Sequence, residues 1–182
     1  PRKYQYHQPF VFAVNVKVEG NLSPDDKKDL AQKLSNQLDD SLRPQVISIA
    51  GVYRRVMYPP VFDTANVRRS IGFMVALLNA TGYFNPAIKD TIRRDTVRFK
   101  RHPERSEYRV TVDFTVNPGK QLRLDSFAYA LSTPPLQALA MQSINQSLLK
   151  KGKPYSKQLM SDDLDRLVTL FHNSGYYKFS KE

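Results

Sequence analysis

Two stretches of the sequence, LNATGYF at residues 78–84 and FHNSGYY at residues 171–177, share one pattern. In each, an apolar residue and three mostly polar residues lead to a glycine that is followed directly by two aromatic residues. A glycine just after a helix favours a left-handed C-cap because it has no Cβ, and the aromatic pair has strand propensity and can cover the helix end. The pattern therefore predicts the same structural corner, from helix to strand, twice. The corners are Gly82-Tyr83-Phe84 and Gly175-Tyr176-Tyr177.

The helices before the two glycines also match, at the same offset of 93 residues that separates Gly82 from Gly175. Five apolar positions recur at this offset, and their spacing places them on one face of a helix. Each helix has a predicted N-cap, Asp63 or Ser156, after a turn that contains proline. The chain therefore contains an internal repeat. The repeated apolar pairs are Val67 with Met160, Ile71 with Leu164, Met74 with Leu167, Val75 with Val168, and Leu78 with Phe171.

Alternation of apolar and polar residues predicts the strands. It is clearest in YRVTVDFTV, and it slips near Ser126 in the strand predicted for the second half. Two further helices are predicted to begin at Pro24 and Pro134, since proline is favoured in the first turn. The predicted order is β-α-α-β-β followed by β-α-α-β. The predicted strands are residues 10–18, 87–99, 108–116 and 122–131.

This order predicts an α+β fold made of tandem units, each with two helices packed on a small mixed sheet. The first unit is longer, because Pro24 and Gly82 are 58 residues apart whereas Pro134 and Gly175 are 41 apart. At the offset of 93, the counterpart of the strand Glu107–Asn117 would fall near residues 200–210, so the second unit is expected to lack its last strand. The predicted domains are a tail at 1–9, a first unit at 10–119 with an insertion near 46–60, and a second unit at 120–182.

The composition is that of a globular protein, with 41% hydrophobic and 25% charged residues among 182. There is no cysteine, which excludes disulfides, thiolate metal sites and cysteine nucleophiles. The longest apolar run, Ile71–Leu78, is far shorter than the roughly 20 residues that span a bilayer. We therefore expect a soluble chain with any membrane anchor outside it. The net charge of +11 predicts attraction to polyanions.

No combination of residues predicts catalysis, a cofactor or a metal site. The three histidines have no metal-ligand spacing, and NPGK at 117–120 lacks the preceding glycine of a phosphate-binding loop. Three aspartates lie in the early turns of the last helix, where carboxylates complement the helix dipole. We therefore predict no enzyme activity. The histidines are His7, His102 and His172, and the aspartates are Asp162, Asp163 and Asp165.

Clusters of basic residues, in a chain with ten tyrosines and ten phenylalanines, raise nucleic-acid binding as an alternative. Most of the aromatic residues are in phase with the strands or at the corners, and no RRM-type or KH-type motif is present. Nucleic acid is therefore disfavoured, and solvated charge or contact with an anionic membrane surface remains open. The clusters are Arg54, Arg55, Arg68 and Arg69; Arg93, Arg94, Arg98, Lys100, Arg101 and Arg105; and Lys150, Lys151, Lys153 and Lys157.

Strand, two helices, a GYF or GYY corner, two strands and a PGK turn resemble the POTRA (polypeptide-transport-associated) domain of the BamA/TamA superfamily of outer-membrane β-barrel proteins. The resemblance covers about residues 10–182. Three stretches are most similar to the TamL-like surface-antigen lipoproteins of that superfamily. They are PPVFDTANVRRSI at 59–71, LLNATGYFN at 77–85, and LKKGKPYSKQLMSDDLDRLVTLFHNSGYYKF at 149–179.

The resemblance implies a binding role on the periplasmic face of the outer membrane, in the soluble portion of a membrane-anchored protein. The implied partners are unfolded outer-membrane protein clients or accessory subunits, together with the protein's own C-terminal β-barrel outside this chain. In this family the strand after the corner usually lies at the sheet edge, where it can pair with an incoming strand. That strand here is Ala87–Phe99, whose charges are also typical of an edge that blocks unwanted pairing, the interpretation that they favour. The candidate partner-binding residues are Ile88, Asp90, Ile92 and Arg94.

Overall fold

The computed structural model of the protein describes residues 8–49, 53–100 and 102–180. His7, Arg101 and most of the predicted tail at 1–9 lie outside these ranges. In chain order, the helices and strands are β1 (Pro9–Val18), α1 (Pro24–Ser35), β2 (Gln45–Ile49), β3 (Tyr53–Met57), α2 (Thr64–Ala80), β4 (Ala87–Phe99), β5 (His102–Asn117), α3 (Pro134–Gln142) and α4 (Lys157–Asn173). Short 3₁₀ turns lie at Asp40–Leu42 and Ile144–Gln146. The α+β fold class predicted from the sequence is confirmed.

The chain divides into two compact units. The first runs to Leu77 and resumes over Asn85–Gly119, and the second takes Leu78–Phe84 and the chain from Lys120 onward. The prediction assigned all of residues 10–119 to the first unit, whereas the corner at 78–84 groups with the second. The reason is hydrogen bonding, because the Leu122 amide donates to the Gly82 carbonyl (2.9 Å).

The sheet of the first unit is organised around β5. Its strand order is β1-β5-β4, with β1 parallel to β5 and β4 antiparallel to it, so the sheet is mixed. The alternation seen in YRVTVDFTV has its expected effect on burial. Val110, Val112, Phe114 and Val116 are all at most 1% exposed, while the residues between them are partly exposed. One face of β5 therefore forms the core of the sheet.

The helices of the first unit begin where the sequence places their caps. Ser23 caps α1 by accepting a hydrogen bond from the Asp26 amide (3.1 Å), and Pro24 is its first residue. Asp63 accepts from the Ala65 amide (2.8 Å) at the start of α2. The apolar faces of the two helices are buried at Leu30 and Leu34 on α1, and at Val67, Met74 and Leu78 on α2.

The predicted insertion near 46–60 is largely a β-hairpin. β2 and β3 pair with each other as a separate two-stranded antiparallel sheet, from Gln45 opposite Met57 to Ile49 opposite Tyr53. Sequence reasoning assigned no structure to this segment. The hairpin leads directly into the turn before α2.

The second unit packs α3 against α4, with a core of Leu136, Ala140, Leu167 and Phe171. The strand predicted at 122–131 is wrong, because only an isolated bridge between Arg123 and Pro154 forms in this stretch. No strand follows the second corner within the described residues either. The first strand of the first unit, β1, is held in a sheet by pairing with β5, which comes much later in the chain. A first strand in the second unit would need a corresponding later strand. The described residues after Lys120 supply no counterpart of β5.

The repeated helical stripe is consequently covered unequally in the two units. Val67 on α2 is 3% exposed, whereas its counterpart Met160 on α4 is 38% exposed. Leu164 is also exposed, while its counterpart Ile71 is half-buried. An apolar groove of about 480 Å³ lies beside α4, lined by Leu164, Val168 and Phe179 among others.

The two corners have the same backbone geometry. Gly82 and Gly175 adopt φ values of 93° and 91°, in the left-handed region. The amide of the following tyrosine donates to the carbonyl five residues earlier, Tyr83 to Leu78 (2.8 Å) and Tyr176 to Phe171 (2.9 Å). Each glycine amide also donates to the carbonyl three residues earlier. Both helices therefore end in a Schellman motif.

The two glycines differ in what surrounds them, which provides a matched pair of variants. A Cβ at Gly82 would lie 3.1 Å from the Tyr155 carbonyl and 3.2 Å from the Leu122 carbonyl, whereas one at Gly175 would meet no atom within 4 Å. Alanine in the left-handed conformation costs about 1–2 kcal/mol of stability at either position. We expect Gly82→Ala to lower the free energy of unfolding by a further 1 kcal/mol or so, because backbone atoms must shift. Urea denaturation of the two variants measures this difference, and equal costs would contradict it.

Candidate functional site

The structure places the four candidate partner-binding residues on β4, at one edge of the three-stranded sheet. They lie on the same face of the sheet as the buried residues of β5, because Ile88 pairs with Val116 and Ile92 pairs with Val112. Ile88 and Ile92 are half-buried. Asp90, which lies between them, and Arg94, which follows them, are exposed. This face of β4 thus alternates apolar and charged side chains along the edge.

The opposite face of the sheet is tied together by a polar network. Asp113 on β5 accepts a hydrogen bond from the Asn15 amide group on β1 (2.7 Å) and forms an ion pair with Arg93 on β4 (2.7 Å). Nearby, Arg109 pairs with Glu107 and its guanidinium lies 4.6 Å from the centre of the Phe12 ring. These contacts link all three strands, so the side chain of Arg93 stabilises the sheet.

Other cations of β4 have no such partner. In the described part of the chain, Lys89, Arg94 and Arg98 form no ion pair, and all three are exposed. Charged residues at an exposed edge discourage unwanted pairing and also attract anionic groups. In the other basic clusters, Arg69 pairs with Asp39 (3.0 Å) and the exposed Lys151 pairs with Asp125 (3.3 Å).

The second edge of the sheet, along β1, was not predicted from the sequence. Beside it lies a groove of about 300 Å³ whose lining is mostly apolar. The lining residues are Phe12, Ala13, Val14 and Asn15 of β1, Leu38, Leu42, Arg43 and Pro44 after α1, and Val46 and Val56 of the hairpin. Alternation in residues 10–18 indicated the strand but gave no signal for the groove, because the hairpin that forms its wall is distant in sequence.

The corner residues have structural contacts. Tyr83 is buried, Phe84 packs against Tyr155 with ring centres 5.3 Å apart, and Tyr176 packs against the core of the second unit. Tyr177 is 77% exposed, which makes it the most exposed large hydrophobic residue among those described. Tyr83 and Tyr176 are therefore held in the packed interior of the corners, whereas Phe84 and Tyr177 are exposed and contact single aromatic rings, those of Tyr155 and His172.

The aspartates and histidines of the sequence do not assemble a metal site in the described residues. No group of three or more potential ligands occurs there. The Nε2–H of His172 donates to the Phe179 carbonyl (2.7 Å), and Asp162 accepts from the side chain of Gln158 (2.7 Å). None of the described helices is long and apolar enough to span a bilayer.

Asp163 is instead the centre of a buried polar network in the second unit. Its carboxylate, 1% exposed as a residue, accepts hydrogen bonds from the Tyr129 hydroxyl (2.6 Å), the Leu148 amide (2.8 Å) and Arg166 Nε (3.0 Å). Arg166 also donates to the Tyr129 hydroxyl (2.9 Å). The network joins α4 to the segment predicted as a strand and to the loop after α3. From the sequence, Asp163 was predicted only to interact with the dipole of the last helix.

Burial acts to raise the pKa of Asp163, but the hydrogen bonds from Tyr129, Arg166 and Leu148 outweigh it. The pKa is therefore held below the ordinary aspartate value of 3.8. A group with a lowered pKa stabilises the fold above its unfolded pKa, and that contribution is lost as the pH falls through the folded value.

No family model matches the chain, and no curated protein sequence matches it. Among solved structures, the chain is similar to POTRA domains 3–5 of BamA from Haemophilus influenzae, with 11% identity and a TM-score of 0.33 over 94% of this chain and 53% of that one. It is also similar to POTRA domains 1–2 of the periplasmic domain of Omp85 from Anabaena, with 16% identity and a TM-score of 0.35 over 96% and 85%. The chain spans about half the length of the BamA structure. TM-scores this low assign neither fold nor function.

The network around Asp163 predicts a pH-dependent difference between two variants of α4. Asp163→Asn leaves Arg166 buried without its counter-charge, so we expect the free energy of unfolding to fall by about 3 kcal/mol at pH 7. Asp162→Asn, on the exposed face of the same helix, should change it by less than about 0.5 kcal/mol. Below pH 3.8 the difference in the free energy of unfolding between the native chain and Asp163→Asn should shrink, because the carboxylate of the native chain becomes protonated and loses its charge. Urea denaturation at several pH values tests this, and a difference independent of pH would contradict it.

Proposed function

We propose that the chain is part of a periplasmic arm of an outer-membrane β-barrel protein, built from POTRA-type units and closest to the TamL-like members of the BamA/TamA superfamily. The arm binds or guides unfolded outer-membrane protein clients or accessory subunits through strand edges and surface contacts, without catalysis. It works beside the protein's own C-terminal β-barrel. The observation that carries this proposal is the corner repeated at Gly82 and Gly175, in a chain whose first unit has the order β-α-α-β-β apart from the hairpin β2–β3 between its two helices.

Binding at the β4 edge has a direct physical basis. The outer side of an edge strand carries backbone N–H and C=O groups that can pair with an added strand. Ile88 and Ile92 offer apolar contact on one face of such a strand, and Asp90 and Arg94 offer charge contacts between them. Main-chain pairing is insensitive to the partner's sequence, which suits clients of many sequences.

The net charge of +11 supports a second contact, with the anionic surface of a membrane or with an acidic partner. Lys89, Arg94 and Arg98 contribute to this from β4, where they are exposed. Screening by salt weakens such contacts more than it weakens strand pairing.

The alternative is a basic nucleic-acid-binding module, favoured by the same charge. Its energetics differ from those of strand pairing, because displacement of counterions from nucleic acid makes the affinity fall steeply with salt. Salt dependence therefore separates the two functions.

The chain should keep an unfolded outer-membrane β-barrel protein soluble when the latter is diluted out of urea, as measured by light scattering. We expect this effect at near-equimolar ratios, with little change between about 50 and 200 mM salt. A basic helical protein of similar charge is the control, and it should not protect the client. A labelled single-stranded oligonucleotide should bind more weakly than about 1 μM at the higher salt.

Two results would contradict the proposal. One is tight oligonucleotide binding with a steep salt dependence and no protection of the client. The other is a full-length protein that assembles outer-membrane proteins normally after deletion of both units.

A further inference from the structure

The β1 edge of the first unit is covered along only part of its length. At its N-terminal end, the segment after the hairpin pairs with it in antiparallel fashion. The Val11 amide donates to the Pro60 carbonyl (3.0 Å), the Phe62 amide donates to the Pro9 carbonyl (2.9 Å), and Phe10 bridges to Val61. This segment is in effect a very short fourth strand.

Beyond Val11, the outer side of β1 has no strand partner within the described residues. Over residues 12–17, the pairs that β1 forms are with β5 on its other side. The chain that could have continued along this edge is diverted at Tyr58, which has φ 47° and is the one non-glycine residue described with positive φ. Pro59 and Pro60 follow it. The hairpin therefore stands away from β1 instead of pairing with it.

The space between the diverted hairpin and the open part of β1 is the groove of about 300 Å³. Its floor is apolar and buried, since Leu38, Leu42 and Val56 are at most 8% exposed. Its rim includes Val46, which is 46% exposed. An open strand edge beside an apolar groove offers both the main-chain pairing and the side-chain pockets that strand addition requires.

We propose that this groove binds an extended segment of a partner polypeptide as an added β-strand, paired with residues 12–17 of β1 and with its alternate apolar side chains against Leu42, Val46 and Val56. The occupant is a polypeptide because the open edge presents backbone groups, and the segment at 60–62 already satisfies the same edge in this way. The alternate residues of the occupant are apolar because one side of it meets the groove and the other meets solvent. This inference rests on the proposed function and assigns its strand-binding site to β1, in addition to β4.

Two neighbouring residues of β2 provide matched variants. Val46 lines the groove, whereas Ile47 is on the same strand, is similarly exposed at 51%, and does not line it. Both side chains are exposed, so an aspartate at either position leaves the core intact. Only Val46→Asp places a carboxylate against the proposed strand, where the strand would desolvate it.

The test uses the 182-residue chain and a synthetic nine-residue peptide of alternating valine and threonine with one central tyrosine, capped at both ends. Binding is followed by NMR, and we expect amide shifts over residues 12–17. Val46→Asp should weaken the affinity at least about tenfold, and Ile47→Asp should leave it within about twofold. The same peptide with N-methyl groups on alternate residues cannot pair along one edge and should not bind.

Other outcomes would overturn the inference. Shifts confined to Ala87–Phe99, or equal effects of the two aspartate variants, would remove the β1 site and leave the proposed function standing. Absence of peptide binding at either edge would count against both. Self-association of the chain that Val46→Asp abolishes and Ile47→Asp does not would show that the occupant is a second copy of this chain.

Discussion

The pairing of β5 with both of its neighbours is the interaction on which the first unit depends. β5 is the last strand in sequence and the central strand in space, so the sheet can form only after the chain has passed through both helices and β4. Its four buried residues, Val110, Val112, Phe114 and Val116, each contribute about 1.5–3 kcal/mol by burial. The same constraint applies to the second unit, where no described residues take the position of β5 and the strand predicted at 122–131 is reduced to an isolated bridge between Arg123 and Pro154.

A central last strand also fixes which backbone groups of the sheet remain available. β5 uses both of its sides, which leaves the outer sides of β1 and β4 as edges. The β4 edge is long and charged, whereas the β1 edge is short, partly covered, and bordered by an apolar groove. Charged side chains discourage indiscriminate pairing at an exposed edge such as the first, and the hairpin borders the second. Under the proposed function, we therefore expect the two edges to bind different partners.

The sequence predicted what depends on local chemistry. The corners at Gly82 and Gly175, the caps at Ser23 and Asp63, and the alternation of β5 each follow from a few neighbouring residues. It failed where a structure depends on distant partners. Residues 122–131 have strand-like composition but no strand to pair with. In β1, a bulge between Val11 and Ala13 buries Val11 and leaves Phe12 only half-buried under Arg109, contrary to simple alternation.

The β1 groove and the Asp163 network were missed for the same reason. The groove needs a hairpin wall and a diverted chain at Tyr58, and positive φ at a tyrosine has no sequence signal. The Asp163 carboxylate is surrounded by Tyr129, Leu148 and Arg166, which only the folded chain brings together. The sequence predicted that the candidate residues of β4 lie on an edge strand, but it gave no indication of the second edge and its groove at β1.

The central claim is that the sheet edges of the first unit bind other polypeptides, and site-specific photo-crosslinking in the full-length protein tests it most directly. Probes belong at Asp90 and Arg94 on β4 and at Val46 beside β1, with a control probe at the exposed Lys28 on α1. The account predicts crosslinks to other proteins from the edge probes and few from Lys28. Edge probes that crosslink no more than Lys28 does, or that capture nucleic acid instead of protein, would contradict it.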